Sequence, residues 1–106
     1  GQNEFPQKID IGIEYLQKSR SEGYIESMIY LSKMFIEGIF VPQNIEKATE
    51  IIKEIPDKKH PEYYLLLGKI EEKNINYYKA KIYYKKAIKS QNKQDTILFE
   101  LNEKNY

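Results

Sequence analysis

Few residues of this chain combine the types and spacing that enzyme chemistry or metal binding requires. His60 is the only histidine, it stands between Pro56 and Pro61 in a charged loop, and the chain has no cysteine. A metal site needs several converging ligands, and acid–base catalysis needs a partner group within hydrogen-bond reach. The glycines are dispersed and form no phosphate-binding loop. We therefore expect His60 to be a solvated loop residue, with no catalytic residue, no cofactor and no metal site in this piece of chain.

Residues 75–94 are a candidate binding surface, because they contain many lysines and tyrosines and no acidic residue. Lysines can pair with phosphates and tyrosine rings can stack on bases, as on a nucleic-acid-binding surface. The competing interpretation is the solvated outer face of a helix whose inner tyrosines belong to the core. We favour this second interpretation, since the regular code of helical-repeat RNA readers is missing. The residues concerned are Tyr77, Tyr78, Lys79, Lys81, Tyr83, Tyr84, Lys85, Lys86, Lys89 and Lys93.

Composition and charge limit the class of protein. The chain has 106 residues, of which 31% are charged, and the formal net charge is +1. Because the charges nearly cancel, the chain has no strong overall electrostatic attraction to nucleic acid or to an anionic membrane. The apolar stretches are too short to span a bilayer, and the N-terminus has no signal-peptide pattern. We expect a soluble protein without membrane insertion; the compartment stays open, with the cytoplasm favoured.

Apolar residues at helical spacing predict six helices, and no stretch alternates as a strand would. Gly23 and Gly38 are expected to end helices, whereas Asn44 and Pro61 are expected to begin them. Pro56 is expected to terminate the third helix. A break is predicted at Ser90-Gln91-Asn92. The predicted helices cover about 7–21, 24–37, 44–55, 61–73, 77–90 and 95–106.

A repeated sequence pattern relates these helices to one another. Leu31-Ser32 followed by Lys47-Ala48 recurs as Leu67-Gly68 followed by Lys79-Ala80, and weakly as Leu101-Asn102. The steps between the leucines are 36 and 34 residues, a period typical of stacked helix pairs in a solenoid. Small residues at equivalent points of alternating helices allow close helix approach. These small residues are Gly12, Ala48 and Ala80.

The repeat resembles two related families. Residues 27–48 resemble a SEL-like repeat of the tetratricopeptide-repeat superfamily through Ser27, Leu31-Ser32, Met34-Phe35, Gly38, Val41-Pro42 and Lys47-Ala48. Residues 61–94 are similar to a tetratricopeptide repeat through Tyr64, Leu67-Gly68, Ala80, Tyr84 and Ala87, with Glu71 where an aromatic residue and Asn92 where a proline would be usual.

The resemblance implies an all-α, right-handed alpha-alpha superhelix of antiparallel helix pairs. Residues 1–106 would then form a single helical-repeat domain. Its parts would be a helix 7–21 from a preceding repeat, a SEL-like repeat 24–56, a tetratricopeptide-like (TPR-like) repeat 61–92, and a first helix 95–106 of a following or capping repeat. Both ends look like cut faces of a longer array, so we expect a fragment of a longer chain.

The resemblance also implies a function. In such stacks the first helix of each pair lines a concave groove, so we expect a non-catalytic scaffold or adaptor that binds a protein or peptide there. The alternatives are an RNA-binding module that uses residues 77–93 and an accessory domain of a larger enzyme. Self-association through the cut repeat ends is a further expectation. The expected groove residues are Ile29, Lys33, Ile36, Leu65, Lys69, Phe99 and Glu103.

Overall fold

A computed structural model gives an all-α fold; it describes the backbone of residues 4–104 and the side chains of residues 8–94, and between 4 and 104 it has no strand. The chain divides into two compact units, unit 1 (Gly1–Pro56) and unit 2 (Asp57–Tyr106). Unit 1 contains the first three helices and unit 2 the last two. The helices are α1 (Glu4–Ser21), α2 (Ile25–Glu37), α3 (Ile45–Lys53), α4 (Pro61–Lys73) and α5 (Tyr77–Lys104).

Local signals end and begin the helices of unit 1 where the sequence predicts. Gly38 follows α2 in the left-handed conformation, with φ at 69°, and its N–H bonds the carbonyl of Met34. Glycine adopts this conformation without the steric cost of a Cβ atom. The side chain of Asn44 accepts a hydrogen bond from the Lys47 N–H at 3.0 Å and so caps α3. Both predicted helix boundaries are confirmed.

In unit 1, α2 packs against both α1 and α3. Ser32 is buried, and its hydroxyl donates to the carbonyl of Met28 at 2.7 Å, which satisfies the buried oxygen. Ala48 is fully buried, as its predicted packing position requires. Gly12 is different, because it is exposed and a Cβ atom there would meet nothing within 4 Å. The expectation of a close helix approach at Gly12 is therefore wrong.

α4 of unit 2 begins at Pro61, the first helical position, as the sequence predicts. His60 precedes it as the N-cap residue, and its Nδ1 accepts a hydrogen bond from the Glu62 N–H at 3.1 Å. The side chain is half-buried. His60 therefore has a structural role, and its expected status as a merely solvated loop residue is corrected.

α4 and α5 pack together through small residues. Ala80 and Ala87 are buried, and a Cβ atom on Gly68 would lie 2.5 Å from Cε1 of Tyr84. The ring of Tyr84 thus occupies the space that the missing side chain of Gly68 leaves. Leu67, the expected counterpart of Leu31, is only half-buried, whereas its neighbour Leu66 is fully buried.

α5 is one continuous helix of 28 residues, where the sequence predicts two helices separated at residues 90–92. The reason is local: Ser90-Gln91-Asn92 contains neither glycine nor proline, so every residue can keep its helical hydrogen bond. At about 1.5 Å per residue, α5 measures about 42 Å and α4 about 20 Å. About half of α5 therefore has the length to pack along α4.

Among the described residues, no helix combines the length and apolarity that a membrane span needs.

Candidate interaction surfaces

The predicted groove residues of unit 1 lie on α2 but differ in accessibility. Ile29 and Lys33 are half-buried and one helical turn apart, whereas Ile36 is completely buried and presents nothing at the surface. Tyr30, next to Ile29 on the same helix, is 58% exposed. The two accessible groove residues and Tyr30 form a surface that we call the α2 face: Ile29, Tyr30 and Lys33.

The predicted groove residues of unit 2 lie on α4 and α5. Leu65 and Lys69 are half-buried and one turn apart on α4, in the same order, apolar then basic, as Ile29 and Lys33 on α2. Phe99 and Glu103 belong to the helical backbone of α5, and their side chains lie outside the described residues.

An apolar cleft of about 340 Å³ opens beside the α2 face in unit 1. Three elements contribute to it: α1, α2 and the loop that follows α2. Burying apolar side chains of a partner in such a cleft is favourable, because it removes apolar surface from water. The lining residues of this apolar cleft are Ile9, Gly12, Ile13, Leu16, Tyr30, Met34 and Phe40.

Phe40 lies on the loop 38–44 in a conformation that a bulky residue rarely adopts. Its φ is 63°, and its side chain is 59% exposed. The left-handed region costs a non-glycine residue about 1–2 kcal/mol. Gln43 Nε2 donates a hydrogen bond to the Ile36 carbonyl at 2.8 Å, and this bond ties the loop to α2. Backbone strain of this kind, held in place by surrounding bonds, often marks a functional position.

An ion pair connects the end of α1 to the segment after α3. Arg20 donates from Nε and Nη2 to the two carboxylate oxygens of Glu54 at 2.8 and 2.6 Å. The hydrogen bonds between the two side chains are the main cause of a raised pKa for Arg20 and a lowered pKa for Glu54. Burial acts in the opposite direction on each pKa but has a smaller effect. The bidentate geometry holds α1, which forms one wall of the apolar cleft, in a defined position.

Unit 2 contains a cluster of tyrosines that pack against each other. The rings of Tyr64 and Tyr83 are stacked at 6.3 Å, and the ring of Tyr63 meets that of Tyr64 edge-on at 5.2 Å. Lys86 Nζ lies 5.5 Å from the Tyr64 ring centroid and 5.9 Å from that of Tyr83. Burial raises the pKa of Tyr63, with smaller contributions from the neighbouring tyrosines. The ring faces are thus engaged with one another and with a cation.

A second cleft, of about 570 Å³, lies next to these rings. We call it the lysine cleft, because four of its lining residues are lysines and Asp57 is the only acid among the lining residues within 8–94. Asp57 also accepts a hydrogen bond from the backbone N–H of Lys59 at 2.9 Å. The residues of the lysine cleft are Asp57, Lys59, Tyr64, Lys86, Lys89, Ser90, Lys93 and Gln94.

These surfaces are suited to non-covalent binding. Among the described residues, no group of three or more histidines, cysteines or acids is arranged to hold a metal ion. The apolar cleft offers contacts for aliphatic and aromatic side chains, and the lysine cleft offers cations. Both can bind a ligand without any reacting group.

Sequence reasoning missed parts of both clefts. A signal for Phe40 existed in the apolar run Ile39-Phe40-Val41 before Pro42, because apolar residues in a loop have no helix core to enter. Asp57 and Lys59 gave no signal, since they meet the lysines of α5 only through the packing of α4 on α5.

Comparison of the chain with protein-family models, curated proteins and solved structures finds no match to any of them.

Proposed function

We propose that this chain is a non-catalytic interaction module built from stacked SEL-like and tetratricopeptide-like helix pairs in a right-handed superhelix. It would act as a scaffold or adaptor that binds a peptide or protein partner. The helix pairs α2/α3 and α4/α5 support this proposal, as do the buried small residues Ala48, Ala80 and Gly68 at the helix contacts.

The observation that carries the proposal is the apolar cleft together with the adjoining α2 face. Tyr30 and Phe40 are both more than half exposed, although they are large and apolar in character. A partner that covers them gains hydrophobic free energy, and Lys33 can pair with an acidic residue of that partner. Leu65 and Lys69 would make the corresponding contacts on α4. An amphipathic peptide has this combination of side chains.

The direct test of this function compares two aromatic residues with equal exposure. Peptides are first selected from a random library for binding to the chain, and their affinities are then measured for variants at Phe40 and Tyr24. Both side chains are 59% exposed, but only Phe40 lines the apolar cleft. Phe40→Gly should weaken binding about thirtyfold, since an aromatic anchor contributes about 2 kcal/mol. Tyr24→Ser should bind as the parent does.

Phe40→Gly also controls for folding. Glycine adopts a positive φ without strain, so this variant should melt at the same temperature as the parent or higher. If selected peptides bind Phe40→Gly as tightly as the parent and lose affinity for Tyr24→Ser, the proposed surface is wrong.

RNA binding by residues 77–93 is a second candidate function. The exposed rings of Tyr77 and Tyr78, next to Lys79 and Lys81, favour it. Binding of a short oligouridine with sub-micromolar affinity at physiological salt would support this function instead, because simple phosphate attraction weakens steeply with added salt.

A further inference from the structure

The lysine cleft of unit 2 has a pronounced excess of positive charge. Among the residues whose side chains the structure describes, Lys59, Lys86, Lys89 and Lys93 line it against a single acid, Asp57. That carboxylate already accepts a hydrogen bond within its own loop. The cleft therefore concentrates cations locally on a chain whose net charge is only +1.

The placement of these cations follows from the two helices. Lys86, Lys89 and Lys93 recur at three- and four-residue spacing on α5, so they share one face of the helix. Lys59 stands opposite, in the loop before α4. Because the chain folds the start of α4 against the middle of α5, residues far apart in sequence form one basic cleft.

The tyrosine cluster narrows the chemistry of the ligand. Tyr64 stacks on Tyr83, Tyr63 meets Tyr64 edge-on, and Lys86 lies over both stacked rings. A nucleobase would have to displace Lys86 or separate the rings before it could stack there. Single-stranded nucleic acid depends on base stacking as well as on phosphate contacts, whereas carboxylates pair with ammonium groups directly and need no ring face. The cleft therefore favours carboxylates over bases.

We propose that the lysine cleft binds an acidic peptide segment of a partner protein. The carboxylates of the segment pair with Lys59, Lys89 and Lys93, while Lys86 is held over the rings of Tyr64 and Tyr83 and supplies a fixed positive charge. The volume of about 570 Å³ is within the range of ligand pockets and accepts a few side chains of an extended peptide. This site uses none of the residues of the apolar cleft.

The test measures fluorescence anisotropy of labelled peptides on the intact chain at low and physiological salt. One peptide alternates glutamate and serine, and its matched partner alternates glutamine and serine; a short oligouridine is the third probe. The acidic peptide should bind, and the neutral peptide should bind at least about tenfold more weakly. The double variant Lys89→Glu, Lys93→Glu should lose affinity for the acidic peptide about tenfold or more.

The matched control is Lys79→Glu, Lys81→Glu. These two exposed lysines lie on the same helix outside the cleft, and their reversal changes the net charge by the same amount. The control should lose less than about threefold. Lys89→Gln with Lys93→Gln repeats the measurement without new negative charge, and circular dichroism checks that each variant stays helical.

Equal losses in both double variants would overturn the proposal, since the attraction would then be general and not local to the cleft. It would also be overturned if the acidic peptide does not bind, or if oligouridine binds more tightly and depends on Lys89 and Lys93. Phe40→Gly should leave binding of the acidic peptide unchanged, so the outcome is separate from that of the apolar cleft.

Discussion

Two glycines in helix interiors, Gly12 and Gly68, have opposite surroundings. A Cβ atom on Gly12 would meet no atom within 4 Å, whereas one on Gly68 would lie 2.5 Å from the ring of Tyr84. In an open helix position, alanine is favoured over glycine by about 1 kcal/mol. In a packed position, the added methyl group must displace its neighbour.

We therefore predict opposite effects for the same substitution. Gly12→Ala should raise the free energy of unfolding by up to about 1 kcal/mol, and Gly68→Ala should lower it by about 1–3 kcal/mol. Urea denaturation of the two variants and the parent measures both values.

A double-mutant cycle identifies the cause. In a Tyr84→Ala background the ring is gone, so Gly68→Ala should no longer destabilise the chain. Destabilisation that persists in this background would show that the contact between Gly68 and Tyr84 is not the reason.

At the scale of the helices, sequence reasoning succeeds where a signal is local. Gly38, Asn44 and Pro61 mark helix ends correctly, because a left-handed residue, a side-chain cap and a first-turn proline act on their own backbone neighbours. It fails at α5, because Ser90 and Asn92 disfavour a helix interior only weakly and do not remove a helical hydrogen bond as proline would.

The continuity of α5 gives a prediction at Asn92, where the resembled repeat would have a proline. Asn92→Pro should interrupt α5, because proline removes a helical hydrogen bond and clashes with the preceding turn, at about 3 kcal/mol. Circular dichroism should show a loss of helical signal relative to the parent. Asn92→Ala, the matched control, should keep or increase that signal. A proline variant as helical as the parent would mean that the helix ends near residue 92.

At the scale of the whole molecule, packing decides what the sequence could not. The spacing of Leu31 and Leu67 predicts equivalent core positions, but Leu66 is buried and Leu67 is half-buried. The groove prediction included Ile36, which lies fully buried, and omitted Tyr30 and Phe40, which line the apolar cleft. Helical periodicity identifies the apolar side of a helix, yet only the neighbouring elements determine which of those residues stay accessible.

The two units offer different surfaces. Unit 1 presents the apolar cleft and the α2 face, and unit 2 presents the lysine cleft. Apolar anchors dominate the strength of most interfaces, whereas exposed charges act mainly on association rate and salt dependence. We accordingly expect unit 1 to supply the residues that anchor a partner.

The most direct measurement is a two-dimensional ¹⁵N–¹H NMR titration of the chain with a library-selected peptide. We expect the largest chemical-shift changes at the amides of Tyr30, Met34 and Phe40 and along residues 9–16 of α1, which surround the apolar cleft. The amides of residues 77–94 should move little with such a peptide. Changes concentrated in residues 77–94, with Tyr30, Met34 and Phe40 unmoved, would contradict the account.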